Sequence, residues 1–431
     1  MPADRAPQLS VDSGWPDIAG HAPITPSKSR RPRSVRWHPG AAALLAIVLV
    51  GAAARVYWNN VEAYATSDHA DETAYLLSAQ ALSRDPSGYP AIVRAYLAHP
   101  AEQVDPPPVR WGGLIVTVAA CEVAPCTYRT LAWVETLAGI AAIALIYAVA
   151  RRLSSRSVGL LAAAFAVTSP IQLGMGRRAL EDCLFLVAVL LALWSTLLLV
   201  ERRNGTAWWI AHGAAVAAFA FAFAVKESFF IYYAALALVL LAARREIRPR
   251  IGDVAVFALA PVVYVAVFGA LSGDVRQILD FARIAREVID APYVIRFQSG
   301  PPFEPLIDLF VLAPVVSLLA VGSAGVALAH ARRREVSGEP LVLFTLALLV
   351  AYAFVPKDAR YFMPGDAAFR MLAAWGIVTL APAGRTLLYG LASIAVNAIS
   401  EIAIFTIVFV EAGVYDPVLA NLLDALHLIP H

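Results

Sequence analysis

Apolar runs of about 18 residues recur along the whole of this 431-residue chain, and no other feature constrains its folding as strongly. Inside a bilayer every backbone N–H and C=O has to be satisfied by the chain itself, so a succession of such runs predicts an all-α polytopic membrane protein. The runs lie at roughly 40–58, 131–150, 157–172, 183–200, 207–225, 228–243, 253–271, 306–329, 340–356, 364–382 and 386–410, about eleven in all. Composition agrees, with 60% hydrophobic and only 15% charged residues, where a soluble protein carries roughly a quarter as charge. The net charge of +2 gives no nucleic-acid signal, because the bases fall in short clusters between runs.

Those clusters set the expected orientation. Arg151/Arg152/Arg156, Arg202/Arg203, Arg244/Arg245/Arg248/Arg250, Arg332/Arg333/Arg334 and Arg385 all fall in alternate connections, on the side of the basic N-terminal segment. The positive-inside rule makes that side cytoplasmic. Residues 1–38, rich in Pro, Ser and Arg, read as a disordered cytoplasmic tail. The first run continues through Val56, Tyr57 and Trp58, longer than a signal-peptide core, and reads as an uncleaved anchor. The expected organisation is that tail, a transmembrane domain over 39–410, and a short outer tail over 411–431. The expected location is the plasma membrane, the cytoplasmic membrane of a bacterium, with the site facing outside.

The outer side carries long loops at 59–130 and 272–305, and tight turns "LGMGRRALED" (173–182), "KE" (226–227) and "PKDARYF" (356–362). In 274–297, Ile278, Leu279, Ala282, Ala285, Val288 and Ile289 recur at helical spacing between charges, which predicts an amphipathic interfacial helix. Residues 89–100 and 109–123 read as similar juxtamembrane pieces, the second alternatively as a short span.

Directly after the first run stands "ATSDHADETAYLLSAQ" (65–80). A helix from about 70 to 82 puts Asp71, Ala74, Tyr75 and Ser78 on one face, with Asp71 favoured in the first turn by the helix dipole. Cations suited to phosphate oxygens end several outer turns: Arg177, Arg178, Lys226, Lys357 and Arg360. With Glu181, Asp182 and Glu227 they outline a polar outer site. An acid beside phosphate-binding cations suits transfer of a sugar from a lipid phosphate. The carboxylate takes the acceptor's proton, and the cations stabilise the leaving phosphate.

At these positions the chain resembles the GT-C glycosyltransferases that use lipid-phosphate sugars, of the protein mannosyltransferase and aminoarabinose transferase (family 39-like) kind. "DETAY" (71–75), "DPPPVRWGG" (105–113), "TSPIQLGMGRRALEDCLF" (168–185), "AVKES" (224–228) and "KDARYFMP" (357–364) carry the resemblance, in order, over about 40–380. The resemblance implies a GT-C-like bundle of about 11 transmembrane helices with amphipathic helices in two outer loops. It implies an inverting hexosyl- or pentosyltransferase whose donor is a polyprenyl-phosphate sugar and whose acceptor is a lipid, glycan or protein hydroxyl, working among membrane lipids. Asp71 is then the base, with Glu72 its catalytic neighbour. Arg177 or Arg178, Lys226, Arg360 and Lys357 bind the donor phosphate, with Tyr75, Asp182, Glu227 and Tyr361 in support. On this reading no large outer C-terminal domain of the kind that better-known members carry is expected, which would leave acceptor recognition to the outer loops.

No cofactor is implied firmly. A divalent metal on Asp68, His69 and Asp71 stays open, with none the preferred reading. Cys121 and Cys126, in "CEVAPC", lie in the outer loop, where an oxidising compartment would permit a disulfide; Cys183 reads as packing. Arg55 and Arg370 lie within runs, near their outer ends, and are expected to extend to the site or to headgroups rather than stay buried. The competing reading is a lipid or sugar transporter or flippase, which normally shows mid-span charges and related halves. A catalytically inactive relative is a third.

Overall fold

The computed structural model describes residues 39–60, 70–98, 106–201, 205–243, 251–289, 294–295, 298, 300–331, 339–354, 357–411 and 413. The expected N-terminal tail, the C-terminal tail beyond 413, three of the basic clusters, and Asp68 with His69 lie outside the described residues. Helices in chain order are α1 Pro39–Asn59, α2 Asp71–Arg84, α3 Tyr89–Ala98, α4 Trp111–Val123, α5 Tyr128–Leu153, α6 Arg156–Val167, α7 Pro170–Met175, α8 Asp182–Glu201, α9 Thr206–Val225, α10 Phe229–Ala243, α11 Ile251–Ser272, α12 Gln277–Ile289, α13 Glu304–Leu312, α14 Pro314–Ala331, α15 Glu339–Tyr352, α16 Met363–Leu380 and α17 Thr386–Phe405. Each apolar run coincides with one of these helices or with two of them end to end, and no strand occurs among the described residues.

Two runs divide, for a stated reason. α6 stops at Val167 because Pro170 has no N–H to give and its ring crowds the preceding turn. Ser169 then caps α7 by accepting from the Gln172 N–H. The run at 306–329 divides at Ala313, with Pro314 opening α14. The last run ends in a π turn over Thr406–Glu411. α4 has 13 residues, about 20 Å at 1.5 Å per residue, too short for a hydrocarbon core of about 30 Å. It packs on α2 and on α9.

α5 packs antiparallel to α6 and parallel to α8, α8 packs antiparallel to α9, and α6 antiparallel to α16. α8 is apolar all round and buried nearly throughout, as a helix surrounded by other helices has to be. Of the residues read at helical spacing in 274–297, Ile278 and Val288 lie on the face of α12 that docks. Phe281 and Ile284 are buried while Leu279 is exposed, and Phe281 meets Tyr96 of α3 and Phe268 of α11. Cys121 and Cys126 form a disulfide across the α4–α5 turn, and Cys183 is a buried free thiol. Closing so short a loop stabilises the fold by about 2 kcal/mol in the chain-entropy account. Reductant is therefore expected to lower the melting temperature modestly without abolishing folding, as read by tryptophan fluorescence.

Arg55 and Arg370 correct the sequence expectation: both are enclosed in the bundle. Arg370 holds Asp366 (Nη2–Oδ1 2.9 Å) and Glu401 (Nη2–Oε1 2.7 Å), and donates to the Phe165 carbonyl. Asp366 also accepts from Ser169 and Gln172, and Glu401 from Thr168 and Asn397. Arg55 donates to the Ala166 carbonyl and to Gln172 Oε1. The broken α6–α7 connection supplies the polar groups that satisfy these charges, so α1, α7, α16 and α17 are tied to one another at that break.

Candidate functional site

The site is built at one end of the bundle by chain reversals. α2 starts at Asp71 after Ala70, which makes no side-chain cap, so the acids of the first turn face the helix dipole directly. Tyr75 follows one turn later. Thr73 meets the Tyr128 hydroxyl at 2.9 Å, which puts the start of α5 at this end. Arg151 and Arg152, at the other end of that 26-residue helix, then lie about 35 Å away.

Five ion pairs join into a ring. Arg360 Nη1 donates to Asp71 Oδ2 at 2.9 Å, and Arg360 Nε to Asp358 Oδ2 at 2.9 Å. The next residue, Tyr361, presents its ring to Lys226 Nζ, 4.3 Å from the centroid. Lys226 donates to Asp182 Oδ1 at 2.5 Å. Its neighbour Glu227 accepts two bonds from Arg110, at 2.7 and 2.6 Å, and Arg110 also donates to the Tyr75 hydroxyl at 2.7 Å, closing the ring on α2. Arg178 holds Glu72, with Nε 2.6 Å from Oε1.

The scaffold that aims these groups is buried. Glu135 of α5 accepts from the Cys183 and Leu184 N–H groups at 2.6 and 3.3 Å and so caps the start of α8, where Asp182 sits. Thr136 pins the same turn through the Gly176 carbonyl at 2.7 Å. The hydroxyls of Tyr232 and Tyr352 both bond the Tyr361 carbonyl and fix the Ala359–Phe362 turn.

Exposure separates the acids. Asp71 keeps 24% of its side chain open, whereas Glu72 keeps 1% and Asp182 2%. Glu72, expected to share the catalysis, is sealed inside its pair with Arg178. The Arg177/Arg178 doublet also resolves: Arg178 joins the ring, and Arg177 turns to the Phe409 carbonyl and the Phe405 ring. Lys357 donates to the Tyr352 and Ala353 carbonyls and so caps α15.

Arg110 and Glu135 are candidate site residues that the sequence reading left out. Arg110 stands inside the quoted "DPPPVRWGG", a stretch that names no partner for its guanidinium. Arg110→Ala leaves Glu227 without its cation. It is expected to weaken binding of undecaprenyl phosphate at least tenfold in a detergent binding assay, with unchanged affinity the contrary result.

A family model described as dolichyl-phosphate-mannose-protein mannosyltransferase matches residues 116–268. That stretch holds the turns with Arg178, Asp182 and Lys226, but neither Asp71 nor Arg360. No curated protein matches the chain. Among solved structures, ArnT from Cupriavidus metallidurans in the apo state is similar at 18% identity with a TM-score of 0.51, over 86% of this chain and 66% of that one. The Archaeoglobus fulgidus oligosaccharyltransferase, in complex with Zn and sulfate, is similar at 14% identity and TM-score 0.57, over 84% and 53%. The same organism's AglB, in complex with an inhibitory peptide and a dolichol-phosphate, gives 13% and 0.54, over 88% and 56%. The chain thus spans between half and two thirds of the length of these proteins. At such identities the shared property is the fold.

Proposed function

We propose that this chain, which has the fold of the GT-C membrane glycosyltransferases, moves a sugar from a polyprenyl-phosphate donor to a hydroxyl acceptor with inversion at the anomeric carbon. The observation that carries the reading is the partly open Asp71 bonded to Arg360, within a ring that also holds Arg178, Lys226 and Arg110. The mannosyltransferase family match and the dolichol-phosphate held by AglB support the donor class. A hexose or a pentose suits the site equally, and so does a lipid, glycan or protein acceptor.

The donor phosphate competes with carboxylates for the cations. As it takes Arg360, Asp71 Oδ2 loses its guanidinium contact and turns a lone pair to the acceptor hydroxyl. Asp71 removes that proton, the acceptor oxygen bonds the anomeric carbon, and the carbon–phosphate-oxygen bond breaks. Its electron pair leaves on the phosphate, where Arg178, Lys226 and Arg360 stabilise the charge. One acid suffices, because the leaving group needs no protonation to depart.

Arg178→Ala is expected to raise the KM for the donor by about ten- to a hundredfold, the range for losing one buried charge-assisted contact. An unchanged donor KM counts against the phosphate assignment. Among the described residues no three His, Cys, Asp or Glu side chains converge as a metal's donor set. Transfer is expected to survive EDTA, as the preferred reading without a metal has it; loss restored by a divalent ion would bring Asp68 and His69 into the site. On the positive-inside argument the site faces outside, with the N-terminus cytoplasmic, in the plasma membrane. Labelling of an introduced Cys in place of Ser78 by an impermeant maleimide on intact cells checks this.

A further inference from the structure

Every cation of the ring is paired, and one acid is left over. Glu181 lies in the turn between Arg178 and Asp182, 2% exposed; neither of its carboxyl oxygens makes a hydrogen bond of normal geometry among the described residues, although the Tyr75 hydroxyl is close enough to interact with it. α4 passes it so closely that a Cβ on Gly113 would overlap the carboxyl group. The groups facing it are Tyr75 of α2, Arg110 before α4, Glu135 of α5, Lys226 and Glu227 after α9, and the adjoining Asp182.

Charge counting makes this acid informative. Six carboxyls of the site (Asp71, Glu72, Glu181, Asp182, Glu227 and Asp358) stand against four cations (Arg110, Arg178, Lys226 and Arg360). The donor's phosphodiester brings one further negative charge, and the phosphate monoester left after transfer about 1.5 to 2. An unpartnered buried carboxylate costs far more than an unpartnered carboxylic acid, so the proton stays on. A carboxylic acid also has one O–H to give, and no acceptor at hydrogen-bond geometry stands beside it among the described residues.

We propose that Glu181 is a binding residue for the donor's phosphate, kept as a neutral carboxylic acid that donates its O–H to a phosphate oxygen. The proposal rests on the polyprenyl-phosphate reading above and adds a residue and a proton to it. No proton is transferred; the O–H bond stays intact and the hydrogen bond breaks when the lipid phosphate leaves.

The sign of the pH effect follows from the environment. Burial pushes the Glu181 carboxyl up to about 8, against the opposing pull of Arg110, Tyr75 and Lys226. Below that value the acid is neutral and welcomes the phosphate; above it the carboxylate repels it. Phosphate binding is therefore full near neutral pH and falls as pH rises through 8.

The test is the affinity of undecaprenyl phosphate for the full chain in detergent micelles from pH 6.5 to 9.5, wild type beside Glu181→Gln. The probe's own second ionisation, near pH 6, affects both proteins alike. If only the neutral acid binds, one-proton linkage weakens the wild type about 30-fold by pH 9.5. Glu181→Gln, a permanently neutral donor, is expected to stay level over that range. The same fall in both proteins overturns the proposal. A second readout needs no folded variant: infrared spectra of the wild type should show a protonated carboxyl band that titrates near pH 8, and its absence at pH 7 also overturns it. Failure of the wild type to bind the probe at pH 7 removes the donor reading itself, and the proposal with it.

Discussion

Asp71→Asn is expected to abolish transfer while leaving the protein folded and able to bind a polyprenyl phosphate. A positioned general base contributes about 10²- to 10⁴-fold, so the loss should reach at least two orders of magnitude in kcat. Asn keeps the size of the side chain but cannot take the acceptor's proton. It also releases Arg360, which in the free protein shares itself between Asp71 and Asp358. Affinity for undecaprenyl phosphate should then be equal to or tighter than that of the wild type. That pairing of lost turnover with retained binding separates a missing base from a damaged fold. Glu72→Gln is expected to behave differently, weakening donor binding through Arg178 rather than removing the base.

Arg370→Leu should be the most destabilising single change in the bundle. It leaves Asp366 and Glu401 buried with no cation, a situation that costs about 3–5 kcal/mol when one partner of a buried pair is removed. The expected result is a large fall in melting temperature in detergent, followed by aggregation. Arg370→Lys should not restore it, because one ammonium cannot serve two carboxylates and the Phe165 carbonyl as the planar guanidinium does. Adding Asp366→Asn and Glu401→Gln to Arg370→Leu removes the uncompensated charge and should recover most of the loss. A single variant as stable as the wild type would show that the network contributes little.

The helices were legible because a membrane run is recognised by length and apolarity alone, with no partner needed. What escaped were events set by contact. The break after α6 follows from Pro170, which stood in plain view, but its purpose lies with Arg55, Asp366 and Glu401, far away in the chain. Whether Arg55 and Arg370 stay inside depended on those partners, and the reading sent them outward. On α12 the spacing named a helix, but Phe281 and the neighbours that bury it were needed to choose the face.

Within the site, five motifs in order were enough to nominate Asp71, Arg178, Lys226, Asp182 and Arg360, all of which the fold brings into one ring with Tyr75, Glu227 and Tyr361. The motifs could not divide the Arg177/Arg178 doublet, because one turn residue faces the ring and the next faces Phe409. Nor could they show that Lys357 donates to the Tyr352 and Ala353 carbonyls, which are invisible in a sequence pattern. Glu181 shows the reverse: its residue type was noted, but only burial without a hydrogen bond of normal geometry gives it a role.

The central claim is that this end of the bundle transfers sugar from a lipid phosphate with Asp71 as base. The direct measurement is incubation of the purified chain, wild type and Asp71→Asn, with a panel of polyprenyl-phosphate hexoses and pentoses and a membrane extract as acceptor source. Release of polyprenyl phosphate is the readout. The account predicts release from at least one donor by the wild type and none by Asp71→Asn. Near-normal release by Asp71→Asn would contradict the assignment of the base. No release by the wild type, together with movement of the lipid across vesicle bilayers, would contradict the transferase reading as a whole.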